Sequence, residues 1–226
     1  MTRCTAVAAL LVSVFTAPAI AQMSPWYVGA SIGESRTDSA LVANRESTVV
    51  NAAVLGSTFD ARDSAFKLAA GYTVTPYLSI EFNYADLGES HLATRITNQG
   101  QAGQVDIDRR LEGFGLDLVG RLPIGERAAL LGRLGLVRTR LEATATLTGN
   151  IVFTGSDPDE RSRSARRGET VTRVGIGGEW MLTPCLGLRV EWERWLDVGK
   201  PFAIGGSGTT GEADTDFYSA GVTWRF

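Results

Sequence analysis

The sequence predicts an all-β fold: a transmembrane antiparallel up-and-down β-barrel of eight strands, preceded by a cleaved leader. Three observations predict it. Hydrophobic residues recur with a period of two in eight separate segments. Short proline-marked turns alternate strictly with long polar connections, and the polar side of the strands collects glycine together with charges of both signs.

The leader comes first in the chain. Arg3 supplies a short positive start, an apolar run follows from Ala6 to Phe15, and Ala19-Ile20-Ala21 places small residues where a signal peptidase reads. Residues 1–21 are therefore expected to be a signal peptide and residues 22–226 one outer-membrane β-barrel domain. A membrane-spanning helix needs roughly 20 apolar residues, about twice what this run offers. Cys4 leaves with the leader. Cys185 then stands alone, so no disulfide within the chain is expected.

The strands follow in order, each named by its apolar set. They are Trp26/Val28/Ala30/Ile32, Phe66/Leu68/Ala70/Tyr72/Val74, Leu78/Ile80/Phe82/Tyr84 and Phe114/Leu116/Leu118 in the first half. The second half holds Leu130/Leu134/Leu136, Val174/Ile176/Trp180/Leu182, Leu186/Leu188/Val190/Trp192 and Tyr218/Ala220/Val222/Trp224/Phe226. Alternation of this kind gives a strand one apolar and one polar face. The Leu130 segment is the least regular, because Leu131 and Val137 fall on its polar side.

Thr75-Pro76-Tyr77, Leu122-Pro123-Ile124-Gly125-Glu126 and Thr183-Pro184-Cys185 read as tight turns, since proline presets a turn and cannot donate to a ladder. Between them lie long polar connections at about Glu34–Arg62, Glu89–Asp108, Glu142–Glu169 and Gly199–Asp214. Outer-membrane barrels have short periplasmic turns and long external loops. The expected placement is thus the outer membrane, with the long loops extracellular and both termini periplasmic.

A soluble barrel would show the same alternation with its apolar face packed inward. Glycine argues against that. Gly29, Gly33, Gly71, Gly113, Gly115, Gly135, Gly175, Gly177, Gly187 and Gly221 all share the polar face, where a solvated surface would gain nothing from them. A narrow lumen does gain, because small residues make room for large ones. The same face carries Lys67, Glu81, Asp117, Arg121, Arg133, Arg173, Glu179, Arg189 and Glu191, which are expected to pair across the interior because desolvated charges persist only when paired. The apolar face carries Trp26, Tyr72, Tyr84, Trp180, Trp192, Tyr218 and Trp224 near strand ends, as an interfacial aromatic girdle requires.

Other chemistries find little support. The formal charge of −3, or −4 once Arg3 is removed, with basic residues scattered among acids, gives no case for nucleic acid. His91, the sole histidine, is adjacent to Ser90 and Glu89, and neighbours in a strand point opposite ways, so they form no triad. Asp106, Asp108, Asp157, Asp159 and Glu160 have no calcium-loop spacing, and Arg161, Arg163, Arg166 and Arg167 neutralise the second group. Gly175-Ile176-Gly177-Gly178 lacks the spacing of a dinucleotide site. Cys185 reads as an ordinary turn residue. No catalytic residue, cofactor or metal is expected.

The run Gly71-Tyr72-Thr73-Val74-Thr75-Pro76-Tyr77-Leu78-Ser79-Ile80-Glu81-Phe82-Asn83-Tyr84 is a strand, a proline turn and a strand with an inward glutamate. Leu186-Gly187-Leu188-Arg189-Val190-Glu191-Trp192 repeats the theme, and the chain ends on Phe226. In these features the sequence resembles the OmpA-like transmembrane domain and the related small opacity-type outer-membrane barrels. The resemblance implies a structural or surface-interaction role, as for a surface antigen, with the lumen plugged by charged side chains. A small-solute channel of porin-like or OmpW-like kind is the alternative, and a lipid-modifying barrel enzyme a distant third. It also implies that Tyr218, Val222, Trp224 and Phe226 form an assembly signal read by the barrel-assembly machinery. Outer-membrane lipid is the other expected partner, and a monomer the expected state. The sequence ends with the barrel, so the peptidoglycan binding of longer members is not expected.

Overall fold

The structure, a computed structural model, describes residues 24–38, 53–98, 101–150, 159–199 and 213–226. The expected signal peptide lies outside these residues, as does a central part of each of the four long connections. Nine strands are described: β1 (Trp26–Thr37), β2 (Ala53–Asp60), β3 (Arg62–Thr75), β4 (Leu78–Asn98), β5 (Gln101–Ile124), β6 (Ala128–Gly149), β7 (Ser162–Met181), β8 (Leu186–Val198) and β9 (Ala213–Arg225). Eight of them close a ring. Each pairs antiparallel with its neighbours, β4 pairs with both β3 and β5, and β1 pairs with both β3 and β9. β2 lies outside the eight-membered ring; separated from β3 by Ala61 alone, it adds to β4 beyond the end of β3. Closure leaves the ring no free edge, which is the condition for backbone polar groups to lie in hydrocarbon.

The apolar face points outward. Ile32, Ile176, Val190 and Leu136 are 74, 64, 62 and 59% exposed, a distribution that only a non-aqueous surrounding makes stable. Aromatic residues bound this belt at both ends. Trp26 meets Tyr72 edge-on at 4.9 Å near the turn end, and Tyr84 meets Phe114 at 4.9 Å near the other.

Two of the short turns are as expected; in the remaining one, Leu122, Pro123 and Ile124 still pair within β5 and the turn is confined to residues 125–127. The long connections are not simple loops. β4 and β5 run to Asn98 and from Gln101, so Glu89–Asp108 is almost wholly a hairpin. β6 continues to Gly149, and β7 starts at Ser162. β4 to β7 are 20–24 residues long, against 12–13 for β1, β8 and β9. At about 3.3 Å per residue, the strands of one wall run roughly 30 Å longer than those of the other. The alternation persists there: Leu92, Ile96, Val105, Ile107, Ala143, Ala145 and Leu147 pack inside as a buried cluster, while the outward residues are polar. Polar outer residues with small inner ones look like a loop in the sequence, which is why the extension was not evident.

The interior is layered. The ion-pair network occupies the half nearer the tight turns, and buried Arg109 and Glu169 lie higher. Above the network Ala65, Ala85, Leu87, Leu111, Val137, Leu141, Val171, Trp195, Val198 and Phe217 form a second apolar cluster. Leu131 and Val137, which disturbed the alternation of the Leu130 segment, point inward and are 5 and 0% exposed.

Candidate functional site

Among the described residues, the lumen gathers the largest connected set of charged side chains. Alternation along β3 to β8 puts Lys67, Glu81, Asp117, Arg133, Arg173, Glu179, Arg189 and Glu191 on the inner wall, each no more than 8% exposed. Arg121 sits lower, near the turn end, with its side chain 19% exposed.

These side chains form one connected network. Lys67 Nζ donates to Glu191 at 2.8 Å and also to Glu193. Arg133 is the hub: it donates to Glu81 at 2.6 Å and to Glu191 at 2.9 Å, and it pairs with Asp117 and Glu193 as well. Arg173 donates to Asp117 at 2.5 Å and to Asn83 Oδ1 at 2.7 Å, approaches Glu193 at 3.3 Å, and lies over the Trp195 ring. Arg189 donates to Glu81 at 2.5 Å, and Tyr27 Oη donates to the same carboxylate at 2.7 Å. A lower tier centres on Glu179, which accepts from Arg225 at 2.7 Å and from Thr223 at 3.0 Å and pairs with Arg121 at 3.0 Å.

Two features decide what this arrangement can do. The upper tier is electrically balanced, with Lys67, Arg133, Arg173 and Arg189 facing Glu81, Asp117, Glu191 and Glu193. It also spans the bore. β4 and β8 stand opposite one another in the ring, so the Glu81–Arg189 pair crosses the diameter. Glycine makes this crowding possible. A Cβ on Gly71 would lie 2.1 Å from the Tyr27 ring, and one on Gly135 would lie 1.7 Å from Asp117 Oδ1.

Several network members escaped the sequence reading. Glu193 is fully buried and touches Lys67, Arg133 and Arg173; its parity, two residues past Glu191, was the signal that could have found it. Asn83 shares the inward parity of Glu81. Tyr27 and Arg225 were hidden because an aromatic residue reads as lipid-facing and a penultimate arginine as a solvated end.

The proposed assembly residues lie on β9. Tyr218 and Val222 face outward at 44 and 45% exposure, and the Phe226 backbone closes the ring onto Trp26 and Ser24. His91 pairs with Asp108 at 2.7 Å on the outside of the extension, whereas Ser90 lines a small interior pocket with Ser35 and Thr37. Cys185 is in the last turn, and its backbone N–H donates to Thr183 Oγ1 at 3.3 Å.

A family model described as outer membrane protein beta-barrel domain matches residues 7–226. The chain belongs to that family of outer-membrane β-barrels. Among relatives of this barrel, outer membrane protein A of Shigella flexneri is 27% identical over 215 residues, covering 92% of this chain and 51% of that protein. Outer membrane protein A of Klebsiella pneumoniae is 29% identical over 160 residues, covering 69% and 39%. The chain thus spans about half the length of the curated relatives it matches. In fold, the barrel is similar to Neisserial surface protein A, with a TM-score of 0.51 at 16% identity over 91% of this chain and 99% of that one. It is similar also to OprG from Pseudomonas aeruginosa, with a TM-score of 0.50 at 13% identity over 90% and 97%.

Proposed function

We propose that this barrel serves a structural or surface-interaction role in the outer membrane, without enzymatic activity, and that its lumen is closed to solutes by the charge network. The observation that carries this reading is the Glu81–Arg189 pair across the bore, tied through Arg133 to Glu191 and Glu193. Eight strands leave an interior just wide enough for side chains to fill, so one layer of bridging charges occupies it. The apolar layers above, including fully buried Trp195 and Phe217, support closure over most of the height. The length asymmetry of the connections supports placing the loop end outside the cell and the turns and termini in the periplasm.

Liposome swelling tests the closure. Vesicles carrying the folded barrel should swell in small sugars no faster than vesicles without protein. Swelling at rates that fall with sugar size would favour a solute channel instead.

A further inference from the structure

We propose that the outer wall of β5, β6 and β7 carries a binding site for the phosphorylated headgroup of a lipid in the surrounding leaflet, held by Arg138, Arg140 and Arg166. On the lipid-facing side of β6 the apolar stripe Leu130/Leu134/Leu136 stops, and the next two outward residues are Arg138 and Arg140. The register sets Phe114, Arg138 and Thr170 side by side, then Glu112, Arg140 and Gly168 one step above, then Arg110, Glu142 and Arg166. The cluster therefore sits at the upper edge of the hydrocarbon belt, where headgroup phosphates lie.

A hollow of about 250 Å³ opens between these side chains, with Phe114 at its base and Gly168 in its wall. Gly168 adds no side chain to that wall. Several other outward arginines meet an acid closely. Arg36 pairs with Glu34 at 2.6 Å, Arg110 with Asp86 at 2.7 Å, and Arg194 with Asp216 through two bonds of 2.7 and 2.8 Å. Arg138 differs: it donates only to Thr170 Oγ1, at 3.4 Å, and has no carboxylate partner among the described residues. Arg140 and Arg166 pair with Glu112 at 3.1 Å and Glu142 at 2.8 Å, yet their side chains stay 67 and 76% exposed, and exposed pairs of this kind hold weakly. The patch thus carries surplus positive charge in guanidinium form, whose planar fork matches phosphate oxygens two at a time. Basic residues beside a bilayer attract anionic headgroups. The acyl chains below would lie along Phe114, Leu116, Leu134 and Leu136.

The test uses native mass spectrometry of the refolded barrel in detergent, titrated with a bis-phosphorylated glycolipid or the same lipid stripped of phosphate. The wild type should retain the phosphorylated lipid about tenfold or more tightly, and R138Q/R140Q/R166Q should lose that preference while keeping the heat-modifiable mobility of a folded barrel. A control triple outside the site, R36Q/R62Q/R194Q on β1, β3 and β8, should keep it. Equal binding of both lipids by the wild type, equal loss in both triples, or displacement by millimolar inorganic phosphate alone would overturn the proposal, the last because it would mark a site for free anions. If R138Q/R140Q/R166Q does not fold, R138Q alone must still weaken the preference. The readout is independent of which way the barrel faces and of solute passage, so the proposed function can fail without it.

Discussion

Glu81 shows how much one residue carries here. It is fully buried and accepts hydrogen bonds from Arg133, Arg189 and Tyr27. Such a group is stable only because its partners are fixed around it, and removing it leaves two guanidinium groups short of a carboxylate. Losing one partner of a dry buried pair costs roughly 3–5 kcal/mol. Glu81→Ala should lower the urea midpoint for unfolding of the purified barrel by an amount in that range or below. Glu81→Ala combined with Arg189→Ala should cost less than the two single changes added, because the pair fails together. Additive losses would mean that the two side chains do not interact. Inward parity made Glu81 and Arg189 legible in the sequence. Their partnership was not, because pairing depends on ring order and on the stagger between strands, neither of which leaves a local mark. Tyr27 was illegible for a different reason: it faces inward because Gly71 vacates the space its ring fills.

At the scale of the element, the lipid-facing strands were legible because hydrocarbon demands strict alternation. Beyond the membrane that demand lapses, and so did the reading. Ala143, Ala145 and Leu147 alternate with Thr144, Thr146 and Thr148, a contrast too slight to separate a strand from a polar loop, yet all are in β6. β2 was hidden likewise, in a stretch of small and polar residues. Two predictions belong here. If the extended end faces outward, protease added to intact cells should cut between Asp157 and Gly168, and cleavage at the proline turns instead would reverse the topology. The terminal strand β9 closes the ring against β1 and ends its apolar stripe on Phe226. Deleting Phe226, or replacing it with a charged residue, should reduce the amount of folded, heat-modifiable barrel in the outer membrane several-fold; unchanged levels would show that the assembly signal lies elsewhere.

For the whole molecule, the interior changes character along its axis. Among the described residues, ion pairs dominate the half beside the tight turns, and mainly apolar side chains, with buried Arg109 and Glu169 among them, occupy the half beneath the extension. On the proposed reading each layer helps to exclude water by a different means, which favours a rigid post with an elaborated outer rim over a conduit. The sequence reading expected charged side chains in the lumen and missed the apolar layers, since inward leucine, valine and tryptophan read as noise in a polar face. The direct measurement is single-channel conductance of the purified barrel in a planar bilayer, for the wild type and for Glu81→Ala combined with Arg189→Ala. A closed lumen predicts no stable conductance from the wild type and, at most, brief openings from the variant. Large, long-lived conductance from the wild type would contradict it.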